Sequence, residues 1–329
     1  MDRNKESVDK ILGDFEKHIQ TYKYGQSPIE LYEPISYIMN LGGKRIRPLL
    51  TLLAYSLYRD DYEKILTPAA AVEVFHNFTL MHDDIMDNAP LRRGKATVHE
   101  KWNPNIAILS GDVMLVKAYD MLLEAEKEKL PSVMRLFNKT AAEVCEGQQH
   151  DMNFESRDSV SEEAYIDMIR LKTAVLLGYA LQYGAILAGA PDADSQRLYD
   201  FGVNIGIGFQ LKDDLLDVYA DQAKFGKQVG GDIISNKKTF LLIKAKDLAN
   251  GENQEILEKW ISAREFDKEE KVAAVTKIYD ALGIRELTEA KMHQYFEKGF
   301  GQFSSLQVPN PKMKALLLQL TQDLANREK

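Results

Sequence analysis

Apolar residues recur every three or four positions along almost the whole chain, and this spacing restricts the possible fold more than any other feature. Near the start it groups Ile11, Phe15 and Ile19, and it continues through long segments at residues 67–88 and 104–129. Residues with this spacing lie on one face of an α-helix. Alternating apolar runs bounded by turn residues, which are typical of strands, are missing. The sequence therefore predicts an all-α protein, a bundle of about a dozen helices.

The breaks between these helical segments are short and rich in glycine and proline. They fall at residues 25–28, 41–43, 90–94, 131, 190–191, 225–236 and 309–311. None is a long polar linker, so we predict a single domain over residues 1–329, although this length also allows two. The segment KFGKQVGGDIISNKK carries several glycines and lysines. This composition favours a mobile loop that closes over an anion, with a plain solvated loop as the alternative.

Composition and charge exclude several classes of protein. Hydrophobic residues make up 45% and charged residues 28% of the chain, unlike a disordered chain or a coiled coil. The net charge of -8 argues against nucleic acid as a partner, because phosphate binding requires a basic surface. Cys145 is the only cysteine, which excludes an internal disulfide and favours a reducing cytoplasm. Because we find no signal-peptide pattern and no apolar run near ~18 residues, we expect no stable membrane insertion.

Three carboxylates lie close together in the segment MHDDIMDNAPLRRGKAT at residues 81–97. Asp83 and Asp87 are four positions apart and share a helix face, with Asp84 beside them. Like charges at this spacing repel each other, whereas a divalent cation bound by their oxygens would offset the repulsion. Acidic helix faces are common, so this segment alone is weak evidence for a metal site.

The same D-D-x-x-D spacing returns in GIGFQLKDDLLD at residues 206–217, as Asp213, Asp214 and Asp217. Gln210 lies on the same polar stripe of this helix, and most remaining positions are apolar. Two matching clusters in apolar helices are far less expected by chance than one. If the helices face each other, their carboxylates surround a cavity that only bound cations make tolerable. All-oxygen ligands predict Mg²⁺, which completes its shell with substrate phosphates.

Basic residues stand beside glycine turns and helix ends, where they can meet an anion. Gly42 and Gly43 let the backbone approach a ligand, and Arg47-Pro48 is typical of a helix start, where amide groups also favour negative charge. We therefore predict a diphosphate site at this turn, while a solvated surface charge is the alternative for each cation taken singly. The candidate cations are Lys44, Arg45, Arg47, Arg92, Arg93, Lys172, Lys227 and Lys237.

Two histidines lie near the first motif. His76 precedes Asp83 by two helical turns and lies on nearly the same face, although a core histidine is an equal alternative. His82 lies about 240° around the helix from His76. This separation disfavours a metal phosphohydrolase, which would need both histidines to converge.

Taken together, these motifs resemble the all-trans polyprenyl diphosphate synthases, also called isoprenyl diphosphate synthases. GGKRIRP, EVFHNFTLMHDDIMDNAPLRRG, EGQQHD, LKT, GFQLKDDLLD and the loop GK…D…NKKT occur in the family's order over residues 42–239. The remaining C-terminal residues match only as generic helices. The resemblance implies helices around a central cavity, prenyltransferase activity and a homodimer.

The resemblance also implies a role for each motif residue. Asp83, Asp87 and Asp213 would bind three Mg²⁺ ions, or Mn²⁺ in their place, with Asp84, Asp214 and Asp217 in support. The allylic diphosphate would be held by Arg92, Lys172, Thr173, Gln210, Lys227 and Lys237. Isopentenyl diphosphate would be held by Lys44, Arg47, His76 and Arg93, with Arg45 adjacent. Gln148 and Asp151 match the family's Gly-Gln-x-x-Asp segment, with Asp151 near the metals. The predicted catalytic residues among these are Asp83, Asp84, Asp87, Lys172, Asp213 and Lys227.

The implied reaction joins isopentenyl diphosphate to an allylic diphosphate. Loss of diphosphate from the allylic carbon leaves a cation, and metal ions with fixed Lys and Arg side chains stabilise the departing group. The double bond of isopentenyl diphosphate attacks the cation. The departing diphosphate then takes the proton, so no side-chain base is needed. Because water would capture the cation, the glycine-rich segment 225–236 is a candidate lid.

Product length in this family depends on the residues four and five positions before the first aspartate, which line an apolar tunnel. Here they are Thr79 and Phe78, with Phe75 a further turn back. Bulky Phe78, small Thr79 and the absence of an insertion within DDIMD resemble the archaeal type of geranylgeranyl synthase. We therefore predict C15 to C20 products, leaning to C20. Spacing alone puts Phe78 about 140° from Asp83, so its place in the tunnel is implied by the resemblance only.

Three rival interpretations have less support. A class I terpene cyclase shares the helical fold and the first motif, but its second motif normally mixes Asn, Ser or Thr with Glu. A non-catalytic subunit of a heteromeric synthase is expected to have lost one aspartate cluster, and both are present here. A purely structural helical protein would show no Mg²⁺-dependent thermal stabilisation by a non-hydrolysable diphosphate.

Overall fold

The computed structural model describes residues 2–220 and 229–326, which are mainly helical, so the all-α prediction is confirmed. The α-helices in chain order are α1 Asp2–Thr21, α2 Ile29–Asn40, α3 Ile46–Ser56, α4 Leu66–Met86, α5 Val98–Lys101, α6 Pro104–Leu122, α7 Leu130–Glu155, α8 Glu162–Ile169, α9 Val175–Ala188, α10 Asp192–Tyr219, α11 Gly231–Ile234, α12 Phe240–Leu248, α13 Gly251–Ser262, α14 Lys268–Ala281, α15 Ile284–Ser304 and α16 Pro311–Ala325. Two of them, α5 and α11, are single turns of four residues, too short for hydrophobic periodicity to reveal.

Two of the described segments are helical but not α-helical. Tyr62–Ile65 form a 3-10 turn directly before α4. Arg170–Ala174 form a π-helical turn between α8 and α9, and this turn contains Lys172 and Thr173. Single π-turns are rare and are frequent at functional sites, because the widened turn changes the direction of its side chains.

A small antiparallel hairpin follows α4, which the sequence pattern does not predict. Its strands are β1 (Leu91–Arg92) and β2 (Lys95–Ala96). The connecting residues Arg93 and Gly94 have φ angles of 53° and 73°, as expected for the type I′ turn that suits a two-residue hairpin loop. Strands of two residues are too short to show an alternating pattern, so periodicity could not reveal this hairpin.

The chain forms two compact units whose segments interleave along the sequence. The first unit comprises residues 1–139, 179–199 and 307–317, and the second comprises residues 140–178, 200–306 and 318–329. The first aspartate motif belongs to the first unit and the second motif belongs to the second. The prediction of a single domain stays a prediction.

In the first unit, α4 is a central helix that packs mainly against α6 and also contacts α2 and α3. Its side chains are buried around most of the helix, as Val72 (0% exposed), Val74 (0%) and Phe75 (1%) illustrate. Glu73 is a polar exception at 2% exposed, and the Asn77 side-chain amide donates to its Oε1 at 3.1 Å. The first aspartate motif therefore lies at the end of a tightly packed helix.

In the second unit, the C-terminal half of α10 carries the second aspartate motif. Leu211 and Leu215 of this helix are buried, at 0% and 8% exposed. Helix α14 packs against α11, α13 and α15, while α12 packs against α15 and α8. Because α11 follows the second motif along the chain, α14 lies directly against the segment that leaves that motif.

One helical stretch, Glu162–Ala188, is long and apolar enough to cross a membrane, with a mean hydropathy of 1.3 over its most apolar window. The expectation that no such run exists is therefore wrong on composition alone. However, 78% of that window is buried inside the protein, which is typical of a core helix in a globular fold.

Candidate active site

The first aspartate motif occupies the end of α4, and its carboxylates have different surroundings. Asp84 is buried, at 2% exposed, and accepts from Arg92 Nε at 2.9 Å to Oδ1 and 2.8 Å to Oδ2. Arg92 Nη2 lies 2.7 Å from Asp84 Oδ1 and 3.7 Å from Asp83 Oδ2. Asp87 is exposed. The inner carboxylate therefore holds an arginine in place, while an outer carboxylate faces solvent.

The hairpin β1–β2 holds the two predicted arginines at the end of α4. It is fixed by the Tyr37 hydroxyl, which donates to the Ala96 carbonyl at 2.7 Å. At the turn, the Arg93 guanidinium lies against Gly43, where an added Cβ would be 2.9 Å from Nη1. Gly43 also has a φ of 145°, a conformation that favours glycine. The structure thus brings the GGK turn and the arginine pair together, with Lys44 exposed at that turn.

Arg47 of α3 contacts His76 of α4, with Nη1 and Nε2 3.1 Å apart. Burial first, and then the nearby arginines Arg47, Arg93, Arg92 and Arg45, hold the pKa of His76 well below its usual value. The neutral ring therefore accepts the hydrogen bond from Arg47 through Nε2. Burial lowers the pKa of Arg47 to about 10, so it stays protonated at neutral pH. Its Nε atom is buried and has no hydrogen-bond partner within the described ranges, which suits a donor that awaits an anion.

Arg45 has a different position from the one expected of a substrate-binding residue. Its side chain is 2% exposed and bonds inside the first unit. Nη1 lies 2.7 Å from Glu73 Oε1, Nε lies 2.9 Å from Glu16 Oε1, and Nη2 donates to the Met39 carbonyl at 2.7 Å. Its φ of 48° is left-handed, a conformation that non-glycine residues keep only when their surroundings hold them. Arg45 therefore anchors the GGK turn to α1 and α4, and its place beside the site for isopentenyl diphosphate stays a prediction.

The residues expected to limit product length form an aromatic group behind the first motif. Phe75 and Phe78 are buried, and their ring centroids are 5.7 Å apart. Phe75 also packs edge-on against Phe137 at 5.1 Å, and Phe78 packs against His82 at 4.8 Å. Thr79 is half-buried, and its hydroxyl donates to a main-chain carbonyl one turn back at 2.8 Å. The apolar face of α4 before the aspartates is therefore filled by aromatic rings.

The second aspartate motif differs from the first in how its middle carboxylate is held. Asp214 is 4% exposed and accepts hydrogen bonds from the Tyr165 hydroxyl and, at 3.2 Å, from Gln210 Nε2. Burial, followed by the charge of Asp232, raises the pKa of Asp214 to about 7. Burial also raises the pKa of Tyr165 well above its usual value, so the phenol is the donor. Asp213, in contrast, is exposed.

The π-turn places Lys172 and Thr173 beside the second motif within the same unit. Lys172 Nζ lies 2.6 Å from Asp151 Oδ2, and the Thr173 hydroxyl donates to Gln210 Oε1 at 3.3 Å. Helix α7 approaches this turn at Gly147, where an added Cβ would lie 2.2 Å from the Lys172 backbone nitrogen. This glycine of the EGQQHD segment is therefore required for the packing, and Gln148 beside it is half-buried.

The segment that begins at residue 229 returns to the second motif. The Gly230 amide donates to the Asp217 carbonyl at 2.6 Å, and the Asp232 amide donates to Asp217 Oδ2 at 2.9 Å. Burial raises the pKa of Asp232 to about 6, which the charge of Lys237 opposes. Lys237 is exposed, and its amide donates to the Asp232 carbonyl at 2.9 Å. Lys227 and the first part of the predicted lid lie outside the described residues.

The carboxylates of the two motifs supply only oxygen ligands. In residues 2–220 and 229–326, no group of three or more His, Cys, Asp or Glu side chains is placed to hold a metal ion by itself. Mg²⁺ does not need such a group, because it is commonly bound through one or two carboxylates, with water and substrate phosphates completing its shell. The exposed carboxylates Asp87 and Asp213 therefore fit Mg²⁺ in type.

Two residues of these networks, Tyr165 and Glu73, are assigned no role in the sequence analysis, and Asp232 is present there only as the aspartate of the loop GK…D…NKKT. Tyr165 and Glu73 act on residues that are distant in the chain, and no local spacing marks the tyrosine. Glu73 carries a weak signal, since it is a single charge within an apolar helix. Asp232 is marked more clearly by the glycine pair before it and by the NKK sequence after it.

Comparisons with known proteins agree with these motifs. Residues 28–279 match the model of the polyprenyl synthetase family. The chain is 42% identical over 250 residues to a short chain isoprenyl diphosphate synthase of Methanocaldococcus jannaschii, covering 75% of this chain and 76% of the relative. It is 38% identical over 303 residues to a geranylgeranyl diphosphate synthase of Methanosarcina mazei, covering 92% and 91%. A crystal structure of a geranylgeranyl pyrophosphate synthase superposes with a TM-score of 0.92 at 42% identity, covering 98% of this chain and 99% of that one.

Proposed function

The chain belongs to the polyprenyl synthetase family and is a prenyltransferase, and from this premise we propose that it condenses isopentenyl diphosphate with an allylic diphosphate in the presence of Mg²⁺. One observation supports this proposal most directly. In both aspartate motifs the middle carboxylate is bound inside the protein, while Asp87 and Asp213 keep exposed carboxylates. A merely solvated acidic surface would not require such a division between its residues.

The proposed metal ligands are Asp83, Asp87 and Asp213, with three Mg²⁺ ions as the expected number. When bound, these ions would stabilise the charge that develops on the departing diphosphate. The chain's own cations would orient the same group: Arg92, Lys172 and Lys237, together with Thr173, Gln210 and Lys227. Arg92 is already fixed by Asp84, and Lys172 by Asp151, so neither needs to reorganise greatly when the diphosphate binds.

The proposed site for isopentenyl diphosphate is the turn at residues 42–47 with His76 and Arg93. Neutral His76 directs the Arg47 guanidinium, whose buried Nε is available to a phosphate oxygen. The bidentate geometry of arginine suits a phosphate group better than a single point charge does. The departing diphosphate is the proposed proton acceptor, so these residues bind and orient but do not act as bases.

We propose short-chain products, C15 to C20, with C20 favoured. Buried Phe78 and Phe75 behind the first motif support a short tunnel. The relative from Methanosarcina mazei and the solved structure with a TM-score of 0.92 are both named as geranylgeranyl synthases, which also favours C20.

A homodimer and a cytoplasmic location are further parts of the proposal. Leu109, Val116 and Leu123 are spaced by seven along α6 and its end, and they are 58%, 58% and 56% exposed. An apolar stripe of this kind supports contact with a second copy of the chain. Sedimentation of the wild type should give a dimer, and Leu109→Lys combined with Val116→Lys should give a monomer.

The lone cysteine supports a reducing compartment.

The proposed function is tested by a product assay. The protein is incubated with Mg²⁺, labelled isopentenyl diphosphate and either dimethylallyl, geranyl or farnesyl diphosphate, and the dephosphorylated products are sized. We expect labelled C15 to C20 alcohols that disappear when EDTA is added. Cyclic hydrocarbons formed without isopentenyl diphosphate would instead indicate a terpene cyclase, and the absence of any product would contradict the proposal.

A further inference from the structure

Lys271 of α14 is a charged residue inside the second unit that the proposed reaction does not use. It is 1% exposed, which is rare for a lysine. No Asp or Glu lies within ion-pair distance of it in the part of the chain that the structure describes. Its ammonium group instead meets neutral acceptors: the Ile234 carbonyl at 3.2 Å and Asn236 Oδ1 at 2.7 Å. It also lies 4.2 Å from the centre of the Phe266 ring.

Both acceptors belong to the segment that carries Asp232 and Lys237. Asn236 has a left-handed backbone with a φ of 54°, and its side-chain amide donates to the Ile261 carbonyl at 3.0 Å. Asn236 thus connects Lys271 on one side with the end of α13 on the other. A side chain that accepts from one helix and donates to another fixes the segment at this point.

The same segment is fixed at its other end by the second aspartate motif. Asp217 accepts from the Gly230 amide through its carbonyl and from the Asp232 amide through its carboxylate. The amide of Lys237, the residue after Asn236, donates to the Asp232 carbonyl and closes the segment on itself. Two anchors, Asp217 and Lys271, therefore place the charges of Asp232 and Lys237 beside the second motif. Asp217 is a carboxylate of that motif, whereas Lys271 is a cation outside it.

The desolvation penalty of a buried ammonium makes lysine unfavourable for a purely structural role at this position. A buried ammonium loses its hydration, and neutral oxygens and a ring face compensate only partly. Burial accordingly lowers the pKa of Lys271. An apolar residue of similar size would fill the space without this loss, but it would leave the Ile234 carbonyl and the Asn236 oxygen without a donor. The unfavourable desolvation of Lys271 is explained if the position of the segment that carries Asp232 and Lys237 matters for function.

We propose that Lys271 is a positioning residue, which holds the segment 230–239 so that Asp232 and Lys237 face the second aspartate motif and its diphosphate and metal ligands. The inference rests on the proposed function for what that motif binds. Lys271 does not touch the substrate itself. It acts through Asn236 and the Ile234 carbonyl, as residues behind a metal ligand commonly do.

The first test compares Lys271→Met with Lys277→Met, a matched change at an exposed position of the same helix. Lys271→Met should raise both the Mg²⁺ concentration for half-maximal activity and the KM for the allylic diphosphate by about 10–100-fold. The KM for isopentenyl diphosphate should not change, because its proposed site belongs to the first unit. Lys277→Met should resemble the wild type. Equal losses for both substrates, or no loss in a folded Lys271→Met protein, would overturn the inference.

A second measurement does not depend on activity. Amide hydrogen exchange of the metal-free protein should be faster by about tenfold or more at Asn236 and Lys237 in Lys271→Met, with α12 and α15 unchanged. Unchanged exchange in the segment would contradict the proposed anchor, and faster exchange throughout the second unit would show a general structural role. This result is independent of the proposed function, whose failure would appear as an inactive wild type.

A third variant keeps the inference testable if Lys271→Met does not fold. Asn236→Gly retains the left-handed backbone and removes the acceptor for Lys271. It should reproduce the selective rise in the allylic KM. If both single variants fold, the double variant should be no worse than the more affected single one, since both break the same connection. Independent, additive losses would refute the connection through Asn236.

Discussion

The two aspartate motifs have the same spacing, but their middle carboxylates are stabilised in opposite ways. Asp84 is buried against a cation, because Arg92 contacts both of its oxygens. Asp214 is buried against neutral donors, the Tyr165 hydroxyl and the Gln210 amide. Burial and then the charge of Asp232 raise the pKa of Asp214 to about 7, against the opposing charge of Lys237.

This difference shows that a repeated sequence motif does not imply a repeated environment. In the first unit, the middle aspartate fixes an arginine that the proposed reaction uses. In the second unit, the middle aspartate connects two helices and the π-turn, through Tyr165 of α8 and through Gln210, which also bonds Thr173. The outer carboxylates, in contrast, should act alike in both motifs if they bind metal.

The largest effect is expected at the outer carboxylates. Asp87→Asn and Asp213→Asn should each lower kcat/KM by about 10²–10³, comparable to the loss of one preorganised electrostatic group. Asp112→Asn, at another exposed position of the first unit, is the control and should have no effect. Steady-state kinetics at saturating Mg²⁺ measure the result. If only one of the two variants is impaired, the motifs do not share the proposed role.

Arg92→Met tests the charged half of the comparison. It leaves Asp84 as a buried charge without its cation, which should lower the free energy of unfolding by about 3 kcal/mol. We take the lower end of the range for buried ion pairs because the Arg92 side chain is 23% exposed. Urea unfolding of the metal-free protein measures the loss. Asp84→Asn in the Arg92→Met background should restore part of the stability, and a further loss would show that Asp84 has another cation.

Tyr165→Phe tests the neutral half. It removes one hydrogen bond from Asp214 but strands no counter-ion, so the free energy of unfolding should fall by only about 1–2 kcal/mol. Asp214→Asn should cost a similar amount, since an amide oxygen can still accept from the phenol. A loss as large as that of Arg92→Met in the same urea experiment would remove the distinction between the two motifs.

The helices and the identity of the motif residues follow from the sequence, because both depend on local spacing. Apolar periodicity predicts α4 and α10, and the D-D-x-x-D pattern identifies the six carboxylates. The turn at residues 93 and 94 and the π-turn at residues 170–174 could not be predicted. The first is a two-residue loop and the second lies where α7 approaches at Gly147, and neither leaves a periodic signal.

The partners of the motif residues are the part that sequence reasoning misses. In the sequence, Arg45 cannot be distinguished from the other basic residues of GGKRIRP. In the structure, however, Glu73 and Glu16 bind it from two other helices. Tyr165 and Asp214 are 49 positions apart in the chain, and only tertiary packing brings the phenol to the carboxylate. A motif therefore predicts which residue types are present, but the surrounding helices decide which of them are available to a ligand.

The smallest effect on rate is expected for the residues that precede each motif. Phe78 stands five positions before Asp83, and the equivalent position before Asp213 is Gly208, with Phe209 beside it. Phe209 packs edge-on against Phe296 at 5.9 Å, and a Cβ on Gly208 would lie 2.6 Å from the same ring.

Phe78→Ala should therefore lengthen the product by one or more C5 units with little change in the overall rate, because it opens space behind the first motif. Phe209→Ala should leave product length unchanged, since Phe296 still fills the position. Sizing the dephosphorylated products of both variants decides the matter: unchanged products from Phe78→Ala would rule out Phe78 as the tunnel floor, and longer products from Phe209→Ala would place part of the tunnel in the second unit.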